Sequence, residues 1–188
     1  FLVGTICALA RVYGGPVLRR IVGVYVEAIR NTPLLVQVFL VFFGLASMGW
    51  KVAAFTAALL SLVINVAAYS SEIMRAGMDS IHKGQIEAAE CLGLTRRQVY
   101  WHVVLRPAME KVYPALTSQF ILLMLSSAVV SVISADDLTS VAATLQSQTF
   151  RSFEIYIVVT VIYLGLSLAF SALFKLIYQR VLNYPDRR

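Results

Sequence analysis

Few residues in this sequence could do chemistry, and their spacing limits what that chemistry can be. The densest set is Glu87-Ala88-Ala89-Glu90-Cys91-Leu92-Gly93. Ala88 and Ala89 offer almost no side-chain bulk, which would let another surface approach closely, and Glu87 would present that surface with a negative charge. A second set, Asn65, Tyr69 and Glu72, stands at i, i+4 and i+7, on one face of a helix. A carboxylate there could receive an ammonium group. The competing reading pairs Glu72 with Arg75 at i+3. Glu154 is a third candidate acid; its alternative role is a solvated carboxylate at a helix N-terminus, where negative charge is favoured. No G-x-x-x-x-G-K-[ST] loop is present. His82 and His102 are not spaced as a metal site, and no Ser/His/Asp set can be assembled. The chain is therefore expected to bind no cofactor or metal of its own and to have no catalytic residue.

The elements that must hold these residues are membrane spans. Of the 188 residues, 59% are hydrophobic and 14% charged, against about 25% charged in ordinary soluble domains. The apolar residues come in runs without a formal charge: Asn31 to Trp50, Val52 to Ser71, Val112 to Ala135 and Ile155 to Phe174. Each has the roughly 20 residues that a helix needs to cross about 30 Å of hydrocarbon. A shorter run, Phe1 to Ala10, reads as the tail of a truncated first span; the alternative is a signal-peptide remnant, but no small-residue cleavage pattern follows it. Together these predict an all-α membrane protein of five helices, with the first truncated, forming a single domain over residues 1–188. If the spans alternate sides, 14 of the 16 basic residues, Arg187 and Arg188 among them, lie on one side, and only Lys51 and Arg151 on the other. The basic side should be cytoplasmic, which places the N-terminus outside and the C-terminus inside. Cys7 and Cys91 then fall in different compartments and should not pair.

On the basic side, Arg11 to Arg30 reads as a Gly14-Gly15-Pro16 turn followed by an amphipathic surface helix leading into the second span. Residues 77–107 form the long polar loop. Two helical segments are expected, Lys83 to Leu92 and Thr95 to Leu105, with Gly93 just past the first helix and Thr95 and Gln98 forming a capping box on the second. Pro107 marks entry into the next span. The outer loop is expected to run from Asp136 to near Glu154. From the residues alone, the polar loop is either a docking surface for a soluble partner or a hairpin packed on its own bundle. A resemblance to DNA-binding helix-turn-helix units is discounted, because both loop ends are held at the membrane face.

The stretch Glu87 to Pro107 resembles the E-A-A loop of ABC importer permeases. Arg30-Asn31-Thr32-Pro33-Leu34-Leu35-Val36-Gln37 is similar to a signature of the polar amino acid permeases of the histidine/glutamine type. So are Ala67 to Ile73 with Arg75, Ser80 to Gln85, Val130 to Ile133 and Phe150 to Glu154, in order along the chain. One departure is visible: Leu105-Arg106-Pro107 displaces the family's Leu-Pro by one residue. The resemblance implies a type I ABC importer transmembrane domain in a bacterial inner membrane, paired with a second permease subunit, the same chain or a homologous one. It implies a dimer of ATP-binding subunits, which carries ATP and Mg, and whose groove receives the coupling helix at Glu87, Ala88, Ala89 and Gly93, with Pro107 beyond. It also implies an extracytoplasmic amino acid-binding protein that delivers the substrate. Lipid is the remaining partner, and nucleic acid is not expected. The rival from a different class is an ATP-independent secondary transporter or channel.

Overall fold

The computed structural model describes residues 1–182, so Arg187 and Arg188, counted above on the basic side, lie outside the described residues. Among the described residues every regular element is helical: α1 (Leu2–Tyr13), α2 (Pro16–Arg30), α3 (Leu34–Ser47), α4 (Ala54–Asp79), α5 (Lys83–Cys91), α6 (Arg96–Gln98), α7 (Arg106–Ser126), α8 (Leu138–Thr149) and α9 (Ser152–Ile177). A π-helical stretch, Val99–Leu105, joins α6 to α7. A 3₁₀ segment, Ser127–Ile133, continues α7, and a π turn, Tyr178–Leu182, ends α9. Cys7 and Cys91 are both free thiols.

Among the described residues, three helical runs are long and apolar enough to cross a membrane: Ala54–Asp79, Pro107–Ile133 and Ser152–Arg180. They coincide with three of the predicted spans. The run Asn31 to Trp50 behaves differently. Its helix α3 has only 14 residues, because Thr32-Pro33 takes one end into a turn and Gly49, at φ +87°, takes the other. It qualifies as a span only together with α2, from which it is bent by 109°. Proline explains the break: it fixes φ, cannot donate to a preceding turn and pushes the residue before it out of the helical region.

The predicted outer loop holds a helix that the sequence did not announce. α8 has 12 residues and starts at a capping box in which Asp137 accepts from the Ser140 backbone N–H at 2.8 Å, while the Ser140 hydroxyl accepts from the Asp137 N–H at 2.9 Å. Phe150, in the left-handed region at φ 56°, stops it.

The described residues fall into two compact units. The first comprises Phe1–Ala28 and Ala67–Gln119. Here Ala8, Met74, Met78 and Val112 form the core, with Leu9, Val12, Ile73, Met109 and Leu116 packed around it. Two glycines let the helices approach closely. A Cβ on Gly4 would collide with the Ser70 hydroxyl and the Ala67 carbonyl, and one on Gly77 with the Val112 side chain. In lipid there is little hydrophobic drive for helices to associate, so close packing of small residues and hydrogen bonds between helices carry the association. A smaller cluster of Ile81, Val104 and Ala108, with Ile86 against it, lies beside the polar loop.

The second unit comprises Ile29–Val66 and the described residues from Phe120 onward. Its core is Val38, Ala57, Ala58, Val130, Ile133 and Ala135, ringed by Leu34, Phe39, Val41, Phe42, Ala54 and Leu62. Phe120 meets Phe170 and Phe174 edge-on, with ring centres 5.2 and 5.1 Å apart. Thr139 Oγ1 and Tyr163 Oη share a hydrogen bond of 3.2 Å, tying α8 to α9. No residue of α9 is buried, which leaves that helix free to face lipid or another subunit.

Candidate functional site

The polar loop is rigid by construction. Helix α5 closes with a Schellman arrangement, in which the Gly93 N–H donates to the Glu90 carbonyl at 2.9 Å and the Leu94 N–H to the Ala89 carbonyl at 3.2 Å. Gly93 holds φ +79°, a left-handed conformation that costs a residue with a Cβ about 1–2 kcal/mol. The next helix begins two residues later with the expected capping box. Gln98 Oε1 accepts from the Thr95 N–H at 2.9 Å, and Thr95 Oγ1 accepts from the Gln98 N–H at 3.4 Å. Ile81 and Ile86 pin the hairpin against Val104 and Ala108. Lys111 Nζ donates to the Ser80 carbonyl at 3.0 Å, which holds the start of the loop to α7. Pro107 lies in the first turn of α7, where a missing N–H is tolerated.

The candidates on this loop do not all share one face. Glu87, Ala88 and Gly93 are exposed, whereas Ala89 is buried at 6% exposure. Adjacent helical residues lie about 100° apart, so an Ala-Ala pair presents one methyl outward and one inward. Leu92, which carried no weight in the sequence reading, is 82% exposed beside Glu87 and Ala88. An isolated Leu reads as core by default; here the helix end turns it outward.

The polar face of α4 is largely occupied. Asn65, buried, donates from Nδ2 to Gln37 Oε1 at 2.9 Å. Gln37 in turn donates from Nε2 to the Ile29 carbonyl at 2.8 Å, the Thr32 carbonyl at 3.0 Å and Thr32 Oγ1 at 3.0 Å. Asn65 thereby fastens α4 to the turn before α3. Tyr69 is half-buried on the same helix. Glu72 sits between two cations: Arg11 Nη1 donates to its Oε2 at 2.6 Å, and Arg75 donates to its Oε1. Arg75 also reaches Asp79 Oδ2. The i+3 partner was legible in the sequence; Arg11, on another helix, was not. One polar atom of this helix, Ser71 Oγ, is buried without a hydrogen-bond partner among the described residues.

Glu154 stands in the first turn of α9, 3.5 Å from Arg151 Nε, and both side chains are largely exposed. Together they border an apolar cavity of about 400 Å³ between α8 and α9, lined also by Leu138, Leu145, Val158 and Ile162.

Apolar helices of spanning length, interrupted by a polar helical hairpin and with no other regular element among the described residues, place the chain in the class of multi-pass helical membrane proteins. The pattern that defines the binding-protein-dependent transport system inner membrane components matches residues 1–183, and the chain belongs to that family as a permease subunit of an ABC importer. It is 36% identical over 171 residues to the probable glutamine ABC transporter permease protein GlnM of Bacillus subtilis, covering 91% of this chain and 79% of the relative. It is 34% identical over 182 residues to the glutamine transport system permease protein GlnP of Escherichia coli, covering 96% and 83%. A crystal structure of an amino acid ABC transporter with histidines is similar at 40% identity and a TM-score of 0.88, over 96% of this chain and 84% of that one. An inward-facing structure of the MetNI methionine ABC transporter shares the fold at 21% identity and a TM-score of 0.73, over 97% and 85%.

Proposed function

We propose that this subunit forms the membrane path for a polar amino acid and couples it to a separate ATP-binding subunit through α5. The observation that carries the proposal is the loop: a closed, doubly capped helical hairpin whose outward face offers Glu87, Ala88 and Leu92 while its inner face locks onto the start of α7. A rigid hairpin fastened to a spanning helix transmits displacement, where a loose loop would absorb it. Relatives that transport glutamine support the amino acid assignment. The ATP-binding partner binds and hydrolyses ATP with Mg, and its closure displaces α5 together with Gly93 and Pro107. Because α4 and α7 flank the hairpin, that motion would tilt them and change the side to which the path opens. A ligand biases such an equilibrium only through its differential affinity for the two states.

The hairpin and 14 of the 16 basic residues, all but Lys51 and Arg151, are assigned to the cytoplasmic side, following the bias of Lys and Arg toward that side. A second permease subunit, this chain or a homologue, completes the path, and an extracytoplasmic binding protein delivers the substrate. Within the path, the face of α4 bearing Asn65, Tyr69 and Glu72 is the first candidate for substrate contact, with Glu154 at the outer end. Glu72 enters with its carboxylate already engaged by two guanidiniums, so a substrate ammonium would compete with them.

Purification of the tagged subunit from its host should bring an ATP-binding subunit with it, and uptake of labelled glutamine into proteoliposomes should stop when ATP is withheld. Uptake that continues without ATP would instead make this chain an ATP-independent carrier or channel. Asn65→Ala and Glu72→Ala variants test the path: unchanged substrate affinity and selectivity in both removes the α4 face from it.

A further inference from the structure

We infer that the first compact unit carries a binding site for the phosphate of an anionic phospholipid, formed by Arg11, Arg19 and Arg75 at the junction of α1, α2 and α4. These three side chains, with Val12 and Asp79, line a cavity of about 330 Å³. Each guanidinium is fixed before any ligand arrives. Arg11 is held by Glu72 at 2.6 Å, Arg75 by Glu72 and Asp79, and Arg19 by the Val12 carbonyl, to which its Nη2 donates at 3.2 Å. Three positive charges are set against two carboxylates, so one positive charge is left over at the cavity. The excess resides on Arg19, which has no acidic partner among the described residues. A planar guanidinium fork suits a phosphate, which accepts two parallel hydrogen bonds from it.

Depth selects a lipid as the source of that phosphate. At 1.5 Å per residue, Arg75 lies about 32 Å and Asp79 about 38 Å along α4 from Ala54, whereas the hydrocarbon core is about 30 Å thick. The cavity therefore sits where headgroups begin. Arg11 is in the last turn of apolar α1 and Arg19 in the first turn of α2, which places both at the ends of their helices beside it. Pre-positioned charges in this zone meet lipid phosphate at high local concentration and free phosphate only by diffusion from the bulk.

The test is native mass spectrometry of the complete importer, purified in detergent and exchanged with a mixture of phosphatidylglycerol and phosphatidylcholine. Wild type should retain phosphatidylglycerol preferentially. Arg19→Gln should reduce retention about tenfold, as expected for the loss of one charge-assisted contact. Arg20→Gln, in the same turn but outside the cavity lining, should leave retention unchanged. Arg19→Lys keeps the charge and should retain clearly more lipid than Arg19→Gln. Equal retention of the two lipids, equal losses in Arg19→Gln and Arg20→Gln, or equal losses in the Lys and Gln variants would each overturn the site. Displacement of the bound lipid by inorganic phosphate alone would assign the cavity to a free anion and overturn the lipid assignment.

Discussion

Gln37 shows how a single amide can hold a turn between two helices. Its side chain satisfies the carbonyls of Ile29 and Thr32, where α2 ends and before α3 begins, and accepts from Asn65 on α4. Of these bonds the one to Asn65 is buried, which makes it the most expensive to lose. Gln37→Leu should lower the unfolding free energy by about 2 kcal/mol, because the buried Asn65 amide loses its acceptor at roughly 1–3 kcal/mol, while the Ile29 carbonyl keeps its bonds from Thr32. The measurement is thermal melting of the detergent-solubilised protein; an unchanged midpoint would show that the turn is held by something else. At this scale the sequence was partly legible. A polar residue inside an apolar run marks an inward-facing position whatever its partner, and this drew attention to Asn65 and Glu72. The partners themselves are tertiary. Gln37 lies 28 residues from Asn65 and Arg11 lies 61 residues from Glu72, and no spacing rule reaches that far.

Among the elements, the hairpin was the most legible, because its signals are local. Gly93 needs a left-handed φ, Thr95 needs Gln98 three residues on, and Pro107 needs a first turn; each is satisfied as the sequence demanded. The direction in which each residue of α5 points was less legible. Ala89 faces the interior and Leu92 faces out, since a helix end can expose an apolar side chain that periodicity would place inside. Leu92→Asp should therefore reduce recovery of the ATP-binding subunit in pull-down about tenfold or more while leaving the amount of permease in the membrane unchanged; an apolar anchor of this size is worth roughly 1.5–3 kcal/mol when buried. Recovery equal to wild type would remove Leu92 from the docking face. Helix α8 escaped notice for the opposite reason. Its sequence is rich in Thr, Ser and Gln, carries no clean apolar period, and opens with a serine at the position where a capping box usually shows Glu or Gln.

For the whole molecule, the apolar runs and the clustering of basic residues were sufficient to give the class, because a bilayer imposes both span length and satisfied backbone. They overstated the second span, whose ends are spent in turns at Thr32-Pro33 and Gly49. In the proposed mechanism α5 transmits the work of a separate ATPase to the spanning helices, which makes coupling a property of the whole assembly. Gly93→Trp tests it most directly. The substitution puts a bulky side chain into a left-handed position at the end of the docking helix, so the hairpin face should no longer seat in its partner. The measurement is ATP-driven uptake of labelled amino acid into proteoliposomes, normalised to inserted permease. Insertion should be normal and uptake reduced at least about tenfold, equivalent to roughly 1.4 kcal/mol of lost coupling; wild-type uptake in the Gly93→Trp transporter would show that α5 does not carry the coupling.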